Sequence, residues 1–397
     1  MATKSKNMID VDLKGYRELL RSVPAWRHAI ELVTNVFDEF LGYVEGMISP
    51  TGCRVTLSKE GRNPARLVVE DDGGGFINPS DIYTLFGSTE KRKDSTVAGR
   101  FNSGDKQLLA VAKEAIVKTK NLTVKFINGT RLITKHKDPA NYHEGTTIEA
   151  FLSWNKEEYE TALTMLQSVI PPEGINYVVN EEMIIRPDSK SVVEITLPTP
   201  VLQESDGITA MKTLKRKTKV EVFEQPEPWL YELGIPVCSL EHTEYRYSLN
   251  VHQKIPLPQS RDFVSPAYLY RLIGLVNEAS AKQDILLVSE EDQGANFEKD
   301  SLEYVEEPEQ LGKIVNAMRP KSDLYSSNTT ANIMSQENGN QIIGRGTYGK
   351  KTLERLQKNN IRQTSNTVYG NPVFSRPEPE SPVHVDARCP RCGFSLN

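Results

Sequence analysis

"RHAIELVTNVFDEFLG", residues 27–42, decides how the rest of the chain is read. Wound at about 100° per residue, it puts Ala29, Leu32, Val33, Val36, Phe37, Phe40 and Leu41 on one broad face, the pattern of a helix packed on a core. The opposite stripe carries Glu31, Asn35 and Asp38, spaced i, i+4, i+7. A helix is polar opposite its core by default, so this stripe alone is equally compatible with water and with a site. Segments further along the chain give it meaning.

Two later stretches bear on the same question. "RLVVEDDGGGF", residues 66–76, puts Asp71, Asp72 and three glycines directly after an apolar strand. By itself that is an ordinary tight turn in which Gly supplies positive φ. The second, "LFGSTEKRKDSTVAGRFNSGDKQLLAVA", residues 85–112, runs a polar loop from Gly87 to Ala98 into Gly99, Asn102, Ser103, Gly104 and Lys106, and then into an apolar helix. A loop of small side chains feeding a helix start aims backbone N–H groups and the positive helix end at an anion, and Lys106 adds a full charge. The order G-x-x-N-x-G-x-K is not the P-loop pattern.

In chain order, Glu-x3-Asn-x2-Asp on a helix, Asp-x-Gly-x-Gly after a strand, the loop closing on a glycine-rich turn, and Gly145-Thr146 before a strand resemble the ATP site of the GHKL, or Bergerat-fold, superfamily of gyrase, heat-shock-ninety chaperones, histidine kinases and MutL. The resemblance covers roughly residues 1–185, and four ordered motifs together are far more specific than any one. "FGSTEKR" followed by "GRFNSGDK" looks most like the MORC and phage rIIA-like branches, and "GIPV" with "VHQKIPL" is similar to the rIIA-like proteins. "IPLPQSRDFV", residues 255–264, resembles the segment that carries an arginine toward the ATP γ-phosphate in the chaperones.

The resemblance implies roles for individual residues. Asn35 holds Mg²⁺ through an amide oxygen, and Glu31 orients and deprotonates the attacking water. Asp38 lies near the sugar or a structural water. Asp71 accepts the adenine exocyclic amine, Thr146 supports the adenine, Gly73 and Gly75 let the backbone pass close to base and sugar, and Phe76 follows them in the ATP-binding set. Gly99, Phe101, Ser103, Gly104, Asp105 and Lys106 surround the phosphates under a lid formed by residues 87–98. Arg261, with Lys254 as a second candidate, reaches the γ-phosphate from the following domain, so the catalytic set is complete only when the domains dock. Two features depart from the family: Asn102 stands where glycine is usual, and Glu39, at the pocket's rim, follows Asp38. Both bear on the rate of hydrolysis more than on ATP binding.

The fold class expected is α+β: a Bergerat α/β sandwich with a mixed, mainly antiparallel sheet covered by helices, then a ribosomal-S5-like transducer and a partly disordered tail. The expected divisions are 1–185 for the ATP-binding domain, 186–285 for the transducer, 286–320 for an acidic helical extension, 321–370 for a small region with a short basic helix, and 371–397 for a Pro-rich linker with a terminal cysteine pair. Helices are predicted at "KQLLAVAKEA" (106–115), "PAYLYRLIGLVNEAS" (266–280) and "KKTLERLQKN" (350–359). The clearest strands are predicted at "CRVTLS", "ARLVVED", "LTVKFIN", "TRLITKH", "TTIEAFL", "VVEITL", "KVEVFE" and "YSLNVHQ".

The 397 residues carry a net charge of −5, which gives no global pull toward nucleic acid or membrane. No run of eighteen apolar residues and no leader pattern is present, so a soluble, cytoplasmic protein is expected, in the host cytoplasm if phage-encoded. Four cysteines do not make a disulfide framework. Cys389 and Cys392 in "CPRCGF" are either half a zinc site, with His384 or a second copy completing it, or free thiols on a loose tail. "MKTLKRKTK", residues 211–219, sits just before a strand and reads either as a solvated charge run or as a nucleic-acid contact. The expected function is a Mg²⁺-dependent ATPase acting as a homodimeric clamp on DNA or on a phage or host-defence partner. The alternatives are a non-catalytic ATP-binding scaffold and a heat-shock-ninety-like chaperone, the latter disfavoured by the small room left for a client-binding C-terminal domain.

Overall fold

The computed structural model describes residues 12–42, 48–85, 96–99, 104–205, 208–258 and 263–362. It divides into a large unit, residues 1–318, and a small one, residues 319–397.

The large unit begins with two helices, α1 (Leu13–Leu20) and α2 (Ala25–Leu41), and continues into strands β1 (Gly52–Ser58) and β2 (Ala65–Asp71). Helix α3 (Gly104–Val111) leads to β3 (Glu114–Lys120), β4 (Leu122–Ile127), β5 (Thr130–Lys135) and β6 (His143–Leu152). Helix α4 (Lys156–Gln167) and strands β7 (Asn176–Val179) and β8 (Glu182–Met183) complete the first layer pair. The strands form one eight-stranded sheet in the order β5-β4-β3-β6-β2-β1-β7-β8, antiparallel except for the β1–β7 pair. The α+β class and the mainly antiparallel, helix-covered sheet are those expected.

Alternating side chains explain the sheet's inner face. Cys53, Val55 and Leu57 of β1, with Leu67 and Val69 of β2, pack on Leu32, Val33, Val36 and Phe37 of α2. Helix α4 starts at a capping box: Asn155 accepts from the Glu158 N–H at 2.9 Å, while Glu158 accepts from the Asn155 N–H at 2.7 Å. The helix expected over 106–115 ends at Val111, because Lys113–Ala115 joins β3, whose edge pairs with Phe151 and Ala150 of β6. Leu41, read as a core position, is exposed at the last turn of α2.

A second sheet comprises β9 (Ser191–Ser205), β10 (Ile208–Glu224), β11 (Trp229–Glu232), β12 (Ile235–Ser239) and β13 (Tyr247–Val251), in the order β12-β11-β13-β10-β9. The basic stretch 211–219 lies inside β10 rather than before a strand, because β9 pairs with β10 along its whole length. Helix α5 (Pro266–Lys282) opens with Ser265 capping the Tyr268 N–H and with proline in the first turn. It packs on β9, where the Ser191 and Ser280 hydroxyls meet at 2.9 Å. Helices α6 (Asn296–Ser301) and α7 (Pro308–Met318) close this unit. The two sheets are joined at α2: the buried Arg27 guanidinium donates to the carbonyls of Pro236 and Val237 and stacks over Trp26, 4.3 Å from its ring centre. Trp26 in turn meets Trp229 edge-on at 6.4 Å.

The small unit holds β14 (Ser322–Leu324), α8 (Thr329–Glu337), β15 (Gln341–Ile343) and α9 (Lys350–Lys358). Its two strands pair in parallel, with Leu324, Ala331, Ile343, Tyr348 and Leu356 buried. Among the described residues, no helix is long and apolar enough to cross a membrane.

Candidate functional site

Helix α2 carries the polar stripe, and the stripe is covered. Glu31 and Asn35 are half-buried and Asp38 is 2% exposed, whereas a surface helix would leave all three in water. Glu31 and Asp38 of the stripe, and Glu39 beside it, each meet a defined neighbour.

At one end, a Cβ built on Gly104 would lie 2.0 Å from a Glu31 carboxylate oxygen. A side chain at this first residue of α3 would force the Glu31 carboxylate to move, so the two segments meet closely here. In the middle, the Asp38 carboxylate accepts from the N–H groups of Ala98 (2.6 Å) and Gly99 (2.7 Å). Both its oxygens therefore hold the segment entering the glycine-rich turn, contacts that the expectation of a sugar or a structural water did not include. At the other end, Glu39 Oε1 and Asp71 Oδ1 each lie 3.1 Å from the Cβ position of Gly73. Glu31 and Glu39 are eight residues apart, about 12 Å along the helix axis, so α2 touches both glycine-bearing segments.

Asp71 ends β2 and pairs in register with Thr146 of β6, which brings together residues 75 positions apart. Its Oδ1 accepts the Gly73 N–H at 2.9 Å. Burial pushes the Asp71 carboxyl up to about 6, and the Gly73 and Thr146 N–H groups pull against that rise. Next to it, Asp72 accepts from the N–H groups of Thr51 (2.7 Å) and Gly52 (2.9 Å); partial burial opposes its ionisation, and these bonds with the Thr51 hydroxyl hold it below the usual carboxylate range. Asp72 thus ties down the start of β1 while Asp71 faces the turn.

The turn itself is close-packed backbone. Gly75 has φ +68° and Gly145 φ +66°. A Cβ on Gly145 would fall 1.9 Å from the Asp71 carbonyl oxygen, and one on Gly75 would fall 2.4 Å from Thr119 Oγ1. Thr119, buried on β3, accepts the Phe76 N–H and donates to the Gly145 carbonyl, both at 3.2 Å. Sequence reasoning missed Thr119, whose only advance signal is a threonine on a strand; the register β2-β6-β3 is what sets it beside Thr146. Phe76 is half-buried against the core of the first sheet.

The first turn of α3 carries Asp105 and Lys106, buried and ion-paired at 2.8 Å. Lys106 borders a cavity of about 450 Å³ with Tyr16, Arg17, Tyr83, Leu109 and Phe126. Lys254 is 1% exposed in the segment after β13, where the next N–H, of Ile255, donates to Glu232 at 2.6 Å. Phe101, Ser103, Asn102 and Arg261 lie outside the described residues, as do Cys389, Cys392 and His384. Among the described residues, no group of three or more His, Cys, Asp or Glu could hold a metal ion. A hard cation bound by one carboxamide oxygen, with phosphate and water as the remaining ligands, needs no such group. A residue passed over in the sequence is Arg27, one turn before Glu31, which pins the N-terminal end of α2 to the second sheet.

No protein-family model matches this chain, and no curated protein matches it. Among solved structures, it is similar to the ATPase region of Saccharomyces cerevisiae topoisomerase II, at 12% identity and a TM-score of 0.40, over 60% of this chain and 76% of that one. It is similar also to that region bound to ICRF-187 (dexrazoxane), at 11% identity and a TM-score of 0.39, over the same shares of the two chains.

Proposed function

We propose that this chain is a magnesium-dependent ATP-binding and hydrolysing switch of the GHKL superfamily, in its rIIA-like and MORC-like branch. One observation carries the reading: α2 meets the start of α3 through Glu31 and the glycine turn after Asp71 through Glu39, so its polar stripe faces protein segments suited to a nucleotide and not bulk water. The donor set suits ATP with a hard cation. It comprises a carboxamide oxygen at Asn35, carboxylates at Glu31 and Asp71, and a helix start without side-chain bulk.

In this reading Asp71, ionised at neutral pH, accepts the adenine amine, a group that guanine replaces with a carbonyl. The hydroxyl of Thr146 supports the ring, and Gly73, Gly75 and Phe76 form its wall. Lys106 and the N–H groups around Ser103 to Lys106, Gly104 and Asp105 among them, take the phosphates, with Gly99 and Phe101 on the approach to that turn. Magnesium, when bound, neutralises phosphate charge and fixes the oxygens for in-line attack. Asn35 is the residue that would hold it. Glu31 positions a water and takes its proton, a role worth roughly 10²–10⁴-fold in rate. Arg261 and Lys254 complete the γ-phosphate side from the unit built on the second sheet. Residues 186–285 are then the transducer, and the assembly is a cytoplasmic homodimeric clamp that acts on DNA or on a phage or host-defence partner. Zinc at Cys389 and Cys392 belongs to the same proposal.

The Asp105–Lys106 ion pair favours a second reading, an ATP-binding scaffold without turnover, because that lysine's charge is already engaged. The two separate in one assay of magnesium-dependent ATP binding and phosphate release. Glu31→Ala should abolish release and leave ATP affinity within about threefold. Wild-type release at background, with ATP bound, selects the scaffold; absence of ATP binding removes both.

A further inference from the structure

We propose that the outer face of β10 is a docking surface for the phosphate backbone of duplex DNA. The inference names the surface for one of the loads considered above, and it rests on the second sheet alone, not on the nucleotide pocket.

Strand β13 pairs with β10 only from Val220 to Glu224, so from Ile208 to Lys219 the sheet continues as the two-stranded ribbon β9–β10. Its two faces differ. On the inner face Val193, Ile195, Leu197, Thr199 and Val201 are buried, on the side where Ser191 meets Ser280 of α5. Opposite residues of an antiparallel pair share a face. Lys215, Lys217 and Lys219, opposite Pro198, Thr196 and Glu194, therefore belong to the outer face. A strand repeats its side chains every two residues, about 6.7 Å, so the three ammonium groups form a row about 13 Å long.

The row continues toward the body of the sheet. Glu221, the next outward position, is 3% exposed at its side chain and lies under Lys219 (2.9 Å), His252 (2.8 Å) and Arg186. The buried carboxylate organises the cations of Lys219 and Arg186, whose side chains remain partly exposed. Lys217 pairs with Glu194, but both are about two-thirds exposed, and a solvent-screened pair of this kind is weak enough to exchange for a phosphate. Lys215 makes no ion pair among the described residues.

The chain as a whole is acidic, at −5, so this concentration of cations is a local feature and not a reflection of bulk charge. The row presents Thr196, Pro198 and Thr213 beside the lysines and no aromatic ring, whereas single-strand surfaces stack bases on aromatics. Duplex DNA offers one phosphate per ~3.4 Å of axis on each strand, so a row about 13 Å long spans about four phosphates of one strand, enough to pair each of its three ammonium groups. Contacts of this type position a duplex without reading its sequence.

The test is fluorescence anisotropy of the full chain with an end-labelled 20-bp duplex of arbitrary sequence, without nucleotide, across a salt series. Omitting ATP keeps failure here distinct from failure of the ATPase reading. Lys215→Gln/Lys217→Gln should weaken binding roughly tenfold or more and reduce the slope of log K against log salt by about 2. Lys135→Gln/Lys156→Gln removes the same charge from exposed positions on the first sheet and α4 and should change affinity less than twofold. All four sites are exposed, and thermal melts should be unchanged. Equal effects of the two double variants, or no duplex binding by wild type at low salt, overturn the proposal. Tighter binding of the single strand or of duplex RNA of the same sequence overturns the assignment to duplex DNA.

Discussion

Two carboxylate clusters of the large unit, one at each sheet, are satisfied in different ways. Around the first sheet, Asp38, Asp71 and Asp72 are all satisfied by backbone N–H groups of turns, at Ala98 and Gly99, at Gly73, and at Thr51 and Gly52. On the second, Glu221 is satisfied by side chains, from Arg186, Lys219, His252 and Asn250. Backbone donors need close approach, which is why glycines crowd the first region. Side-chain donors reach from a distance and leave their far surfaces in solvent, so the second region is a charged face. The electrostatics divide in the same way. Burial drives the Asp71 carboxyl up to about 6, while at Glu221 burial is more than offset by bonds from His252 and Lys219 that hold it far below the carboxylate range.

Removing one charge from each region sharpens the contrast. Asp71→Asn should weaken ATP binding by roughly 10–100-fold, the cost of an acceptor turned partly into a donor in a half-buried site, with little change in duplex binding. Titration calorimetry with ATP is the check, and an unchanged affinity would place the base elsewhere. Glu221→Gln should leave ATP affinity alone and lower stability by about 2 kcal/mol, less than the 3–5 typical of a fully buried pair because Lys219 and His252 are partly exposed. A denaturant midpoint equal to wild type would show that the cations do not depend on this carboxylate.

The smallest effect concerns pH. His28 on α2 is 3% exposed and burial pushes it down to about 4 from 6.5, so the folded state binds fewer protons than the unfolded state between these values. Its contribution is complete above pH 6.5 and is lost as pH falls toward 4. Asp71 acts in the opposite sense: raised from 3.8 to about 6, it binds a proton earlier in the folded state, so the cost of burying its charge is relieved over the same fall in pH. His28→Gln should therefore lose less thermal stability than wild type between pH 7 and 4.5. An equal or larger loss would show that His28 is not buried neutral.

Much of the fold is legible in the chain because it is local. The 3.6-residue period of the stretch from Arg27 and the short apolar run of "ARLVVED" depend on neighbours in the chain, and α2 and β2 fall where these patterns place them. The failures share a cause. The start of β3 reads as the end of a helix because "KEA" is helix-compatible until β6 pairs with it, and the basic run of β10 reads as a segment before a strand because β9 is what extends the strand through it. Within the site, the residue types of Glu31, Asn35 and Asp71 suggest a nucleotide, but nothing along the chain says that Asp38 will hold Ala98 and Gly99, that Thr119 will bond Phe76 and Gly145, or that Lys106 will pair with Asp105.

Composition and spacing by themselves determined that an amphipathic helix, a glycine turn after a strand and a glycine-fed helix occur in this order. Tertiary structure decided whether the helix's polar stripe faces water, because that depends on the packing of Glu31 against Gly104, where an added Cβ would fall 2.0 Å from the carboxylate, and on the pairing of Asp71 with Thr146. Such contacts arise from sheet register and backbone clearance between distant segments, and hydrophobic periodicity, which specifies which face is buried, does not specify what the other face meets.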